Sequence, residues 1–520
     1  MKFFILTCLV FLTLATSSYS QQYRVKEADN DSENPSHFLL LTPSNDYIDI
    51  SGPLPYGKSK KTPSIVRYDS KMKIVYNNPL TELADKKIKA AQYIGNKLVV
   101  YWESGENQIG RSFIDDSKGT LEPASSVLFT IQEETAYRFF AFGSSPNGNY
   151  KHVFSASYNR KDDGKTFDGV ITDNSDKTVR KFTYTTPEDK HSIRMIKSIQ
   201  SDDGSVYIIY GAIVKKRDQE SYKPIEYTIL KIPVDGKVAV HQLNDLPEGN
   251  IQNLSWQIKG ADILFNGLLA KDKKTDFTTF LSGTYDLATG KVITKETELN
   301  TLASFRQLDD TYLKKISSKG LPGDIEYDTT IYYKDGSYAL IYESNNNYQY
   351  QSYFAPDGSG INKPSYSVNF LLRGNIYVIK VSPLNQPDWI KVIPKDQEEP
   401  DINLCIGFAC TIDEKSNLHF FFYDVEKNTE AEPGKHSPAR VNTAGKKRNS
   451  FACVKLTPTG VANKQFIDIA DNDFYISPER SAGIKAGELA YISMRKKGAA
   501  FGLVQLLNNA IYHFGTITIR

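Results

Sequence analysis

Short runs of apolar, aromatic and β-branched residues alternate along this chain with clusters of Gly, Asn, Asp and Pro. Leu98-Val99-Val100-Tyr101-Trp102 is one such run, and its composition predicts a strand. Val206 to Tyr210, Ala339 to Tyr342, Ile376 to Val381, Leu418 to Tyr423 and Ala490 to Ser493 follow the same pattern. Turn chemistry sits between the runs. Pro146-Asn147-Gly148-Asn149, Asp202-Asp203-Gly204-Ser205 and Lys334-Asp335-Gly336-Ser337 each join two of them. Asn-Gly and Asp-Gly reach positive φ at little steric cost, so these segments predict tight hairpins. Successive local hairpins make an antiparallel meander.

The hairpins group into loose modules of about 45 to 75 residues, close to the repeat lengths of meander-built circular folds. We cut them near 36–88, 89–133, 134–187, 190–246, 248–300, 322–400 and 401–475, with a remnant to the C-terminus. A propeller blade is a four-stranded meander. The expected fold is therefore an all-β propeller of about seven blades, six or eight also being compatible, in a single domain over 36–520. Pairing of Ala510 to Ile519 with an early strand would close the ring and remove exposed strand edges. Leu299 to Lys319 breaks the pattern. Leu302, Phe305, Leu308, Leu313 and Ile316 lack strand alternation, and we expect a helical or irregular insertion over 299–319. Glu398 to Asp401 and Glu426 to Arg448 read as exposed loops, the latter carrying Pro433, Gly434 and Gly445.

The N-terminus has a different character. Lys2 precedes an uncharged apolar run from Phe3 to Ala15, and Thr16-Ser17-Ser18-Tyr19-Ser20 follows. Small residues at Ser18 and Ser20 suit signal peptidase, which predicts a signal peptide over 1–20 cleaved near Ser20. The run is shorter than the roughly 20 residues that span a bilayer, and no later stretch is apolar for long enough. Cys8 lies inside the run with too little apolar sequence before it for a lipoprotein. The expected product is secreted or periplasmic, soluble, and begins with a disordered leader over 21–35. Within it, Asp29-Asn30-Asp31-Ser32-Glu33 mimics the opening of a calcium loop but lacks the turn glycine and the distal Glu.

Charge narrows the partners. Lys and Arg total 63 against 61 Asp and Glu, and cleavage removes Lys2. A near-zero balance provides no electrostatic case for nucleic acid or an anionic membrane. Lys58-Ser59-Lys60-Lys61, Lys215-Lys216-Arg217, Lys446-Lys447-Arg448 and Arg495-Lys496-Lys497 read as solvated strand ends and loops. The 32 Tyr, 27 Phe and 3 Trp would serve as sugar-stacking platforms or as cross-strand packing. Cys405, Cys410 and Cys453 are an odd number of thiols after the signal peptide. Three buried thiols, or one Cys410–Cys453 disulfide in an oxidising compartment, both fit.

Catalytic signatures are sparse. His37, His152, His191, His241, His419, His436 and His513 are scattered singly, without a zinc-protease helix, a nucleophile elbow or a phosphate loop. No catalytic residue can be assigned, and no cofactor or metal is expected. Arg160 to Phe167 resembles the Asp-box turn of sialidase-like propellers. Asp162, Gly164 and Thr166 match it, while Phe167 stands for its Trp and Arg160 for its Ser. In those families the box is a structural turn, so the likeness implies a hairpin and no glycoside cleavage. Tyr285 to Val292 looks like the D-x-x-T-G-K turn of quinoprotein-type blades, but Thr294 replaces the usual Trp. An Asp capping backbone amides is the reading we adopt there. A related strand-turn-strand shape at Val378 to Ile390 ends in Trp389.

The second half, over roughly 300–500, resembles a group of uncharacterised exported proteins of Bacteroidota. The likeness is carried by Ile331 to Glu343, Gly374 to Lys380 and Trp389 to Gln397. It implies an exported propeller-like fold and transfers no catalytic residue. The functional expectation is a non-catalytic binding or scaffold propeller for an unknown protein or glycan ligand. The alternative is a secreted hydrolase acting on glycans; its paired carboxylates cannot be chosen without their separation in space.

Overall fold

Every meander predicted from the sequence is present in the computed structural model as an antiparallel sheet, that of the sixth module extended by a parallel pairing of Gln397–Glu398 with Val441–Asn442. The structure describes residues 23–27, 36–52, 62–131, 139–157, 164–188, 193–213, 225–303, 320–352, 366–400, 406–428, 438–442, 450–467, 474–496 and 510–519, apart from 95, 106, 124 and 272–275. The signal peptide, Asp29 to Glu33, Asp162, most of the 299–319 insertion, Cys405, His191, His436 and the clusters at 58–61, 215–217 and 446–448 lie outside these residues.

Blades one to seven occupy 36–79, 87–130, 139–185, 193–242, 250–298, 325–393 and 409–467. The eighth is the segment read as a remnant. Phe474–Lys485, Glu488–Lys496 and Ala510–Ile519 form three of its strands, and Tyr23–Glu27 is the fourth. Tyr23 pairs with Ile519 and Glu27 with Gly515. The protein is an eight-bladed β-propeller. Seven modules were visible in sequence because the eighth is assembled from both ends of the chain. Tyr23–Glu27, expected within a disordered leader, is thus the strand that closes the ring.

The core lies between blades rather than within them. Ile48, Ile50, Leu98 and Trp102 join blades one and two, and Tyr207, Ile229, Trp256 and Phe265 join four and five. Equivalent clusters run around the ring, the last uniting blades seven, eight and one through Phe421, Tyr491, Phe514 and Tyr68. Each blade therefore buries both faces against its neighbours, which is why most of the second strands carry apolar runs such as Leu98–Trp102 and Val206–Tyr210. At most seams the first strands of adjacent blades lie against one another around the centre of the ring.

The predicted turns hold. Gly148, Gly204 and Gly336 have φ of 71°, 85° and 83°, in the region that favours glycine. At Gly204 a Cβ would also come 2.6 Å from Val234. Two sequence readings change. Gln397–Pro400 is a strand paired with Tyr366–Val381, and Glu399 is buried, so 398–400 are not an exposed loop. Within 426–448, also read as an exposed loop, Asn428 is buried and Val441–Asn442 is a strand paired parallel with Gln397–Glu398, with Val441 buried. Of the 299–319 insertion the structure describes 299–303, where Leu299–Thr301 is a 3₁₀ turn with Leu299 buried. Among the described residues no helix is long and apolar enough to cross a membrane.

Candidate functional site

The inner strand of blade six, Ile325–Tyr332, pairs with Tyr338–Ser352, and their register slips once. Tyr327 opposes Tyr342 and Thr329 opposes Ile341, leaving Asp328 as the extra residue of a β-bulge. A bulge bends its strand and re-aims the unpaired residue. The bend is anchored by the fully buried Tyr342, whose ring meets that of Tyr327 edge-on at 5.8 Å. Asp328 lines a cleft of about 890 Å³ between the inner strands of blades six, seven and eight. Tyr332 and Glu343 stand on the blade-six wall, Phe408 and Cys410 on the blade-seven wall, and Lys485 on the blade-eight wall.

A continuous hydrogen-bonded chain holds these walls in place. Lys395, with no solvent-exposed side-chain surface, donates to Glu343 at 2.5 Å and to Gln397 Oε1 at 2.8 Å. Gln397 Oε1 also accepts from Gly407 N at 2.9 Å, and its Nε2 donates to the Tyr423 carbonyl at 2.9 Å. The Tyr423 hydroxyl in turn accepts from Ile476 N at 2.7 Å. Blades six, seven and eight are thereby linked behind the cleft. The seam between seven and eight is closed by Gly487 N donating to Ile412 O at 2.7 Å. Gly483 is required there, because a Cβ would come 2.9 Å from Thr411 Oγ1.

The electrostatics single out Asp328. Glu343 is neutralised by Lys395 and by Arg373, whose Nε lies 3.5 Å away. Lys485 pairs with Glu488 at 3.2 Å. Asp328 is exposed to solvent in the cleft, yet the protein around it thins its hydration, and its carboxyl is raised to about 6. Loss of hydration is the main cause, the neighbouring Glu343 charge adds to it, and Lys395 opposes it. Burial, then the Asp328 charge, holds the Cys410 thiol well above its ordinary range, so it is not a thiolate nucleophile.

The residues singled out from sequence are dispersed. His37 sits 3.0 Å from Asp49, His152 bonds Ser198 at 2.9 Å and Gln200 at 3.2 Å, and His419 meets Asp413 at 3.0 Å. None of these lines the cleft. Among the described residues no group of three His, Cys, Asp or Glu side chains could hold a metal. Cys410 and Cys453 are free thiols. Asp286 accepts from Ala288 N at 2.9 Å and Thr289 N at 2.7 Å, and Gly290 has φ of 71°, the capped turn expected there. Phe167 is fully buried in its blade, and Trp389 donates to Pro458 O at 3.1 Å. Asp328 escaped the sequence reading. Its one signal is a charge interrupting Tyr327 to Ile331 in a strand that faces other strands.

No protein-family model matches the chain, and no curated protein matches it. Among solved structures it is similar to the WD40 domain of SCAP from fission yeast, at 8% identity over 96% of this chain and 98% of that one, with a TM-score of 0.42. It is also similar to the β-propeller domain of the Trilobed protease from Pyrococcus furiosus, at 10% identity over 84% and 99%, with a TM-score of 0.35. Puromycin hydrolase matches at 10% identity over 89% of this chain and 58% of its own length, with a TM-score of 0.39. The sheet order, rather than these likenesses, carries the fold.

Proposed function

We propose that the protein is an exported, non-catalytic binding propeller that takes a protein or glycan ligand in the axial cleft between blades six, seven and eight. The observation that carries this reading is the bulge that delivers Asp328 into a concave site walled by three blades. Clefts with an apolar lining and a few convergent polar groups are the usual form of a ligand site. Export is supported by Lys2, the apolar run to Ala15 and the small residues at Ser18 and Ser20. Expression in an exporting host tests it: the product should begin at Gln21, and retention of Met1 would refute cleavage. Arrays of glycans and peptides probed with the mature chain test the binding role. A bound class that is lost in Asp328→Asn supports it, and no retention on either array contradicts it.

A second reading, a secreted hydrolase acting on glycans, is favoured by one observation. Asp328, raised to about 6, stands near the Glu343 carboxylate, a pairing of unlike carboxyl environments that acid–base chemistry uses. Glu343 is already held by Lys395 and Arg373, which makes it a fixed charge of the wall. Turnover on a polysaccharide panel, abolished by Asp328→Asn with binding retained, would make this reading the better one.

A further inference from the structure

Taking the cleft as a ligand site, as proposed above, its lining specifies what the ligand carries. The charged groups facing Asp328 are Glu343, which shares Lys395 and Arg373, and Lys485 across the cleft, which pairs with Glu488. No hydrogen bond or ion pair engages the Asp328 carboxylate among the described residues, so its charge has no fixed counter-ion. Lys395, behind the wall, has no surface to offer an anion. The rest of the wall is mixed: Tyr332, Phe408 and Ile412 supply apolar surface, with Tyr332 55% exposed, and Thr330, Thr411 and Ser481 supply hydroxyls.

These features exclude and select. An anionic ligand would meet Asp328 and Glu343 with no free cation opposite. A neutral sugar would find the hydroxyls of Thr330, Thr411 and Ser481 but would leave the Asp328 charge without a counter-ion. A cation on an aliphatic stem suits both halves of the site, because such a side chain buries its methylenes on apolar surface and keeps its charged head at a polar group. A ring beside the path of the cation adds attraction from its face.

The geometry points to a lysine or arginine side chain of a protein or peptide partner as the group the cleft receives, its N–H donors on Asp328 and its stem against Tyr332, Phe408 and Ile412. The carboxylate is the binding form. Affinity is therefore full well above pH 6 and declines as pH falls through that value.

Titration of the mature full-length chain, followed by NMR, with N-acetyl-lysine methylamide, N-acetyl-arginine methylamide, their norleucine counterpart and glucosamine tests this. We expect saturable binding of the two cationic amides, tighter than norleucine by about tenfold, a difference of the size one desolvated charge pair supplies. Asp328→Asn should bring the lysine and norleucine probes to within about twofold of each other. Should that variant fail to fold, the wild-type chain suffices: lysine affinity should drop between about pH 7.5 and about pH 5, and norleucine affinity should not. Equal binding of lysine and norleucine overturns the inference and leaves the cleft a ligand site. Glucosamine binding more tightly than lysine overturns it in favour of an amino sugar. No binding by any probe overturns the inference, and the array experiment above then decides separately whether the cleft is a ligand site.

Discussion

His152 illustrates how much a single side chain reports about its surroundings. It is fully buried between Ser198 and Gln200, and loss of hydration lowers it from 6.5 to about 4. A histidine whose folded value lies below its unfolded one binds its proton first in the unfolded chain. Its contribution to stability is therefore intact above about pH 6.5 and is lost as pH falls toward 4, on the order of 3 kcal/mol in all. Urea unfolding across that window should show a steeper loss for the wild type than for His152→Gln. Lys395 makes the opposite case, a buried charge with partners. Lys395→Met leaves Glu343 with Arg373 alone and frees Gln397 Oε1 from one donor, at a cost of about 3 kcal/mol or more by chemical denaturation. Glu343→Gln in that background should recover part of the loss. At this scale the turn glycines were legible because positive φ has a residue preference. Asp328 was not, because its role depends on the register between two strands and no local pattern encodes a bulge.

Strands were the most legible elements, since the second strands of most blades carry apolar runs such as Leu98–Trp102 and Val206–Tyr210. Tyr47–Gly52 and Tyr150–Ser157, with Asp49, Lys151 and His152 buried in them, are the exceptions. Tyr23–Glu27 was not legible. Five residues with two apolar members, Tyr23 and Val25, identify no strand until the partner, Ala510–Ile519, is known, and that partner lies at the other end of the chain. Tyr23 is more than an edge: its hydroxyl lies 3.4 Å from His419 and its ring packs edge-on against Phe421, both of blade seven. Deletion of residues 21–27 should expose the edge of Ala510–Ile519, and hydrogen exchange there should quicken while Tyr150–Ser157 in blade three stays protected. Uniform protection in the deletion variant would refute closure by this strand. Gln397–Pro400 misled for a related reason. Its Glu-rich composition suggested solvent, yet alternate residues point inward and Gln397 bonds the blade behind it.

For the whole molecule, the circular fold follows from cores that lie between blades, each requiring the next until blade eight meets blade one. Sequence pattern carried the meanders and nearly all their boundaries. It placed the count at about seven because the last blade is shared between termini. The site was less legible than the fold, since its walls come from the inner strands of three successive blades and no local pattern shows that Asp328, Cys410 and Lys485 meet at one cleft. The cleft between blades six, seven and eight is the centre of the functional reading, and hydrogen–deuterium exchange on the mature chain addresses it most directly. With a lysine-bearing peptide bound, slowed exchange should concentrate at 328–332, 407–412 and 481–486. Protection confined to other blades, or none at those segments at saturating peptide, would contradict the assignment of this cleft as the ligand site.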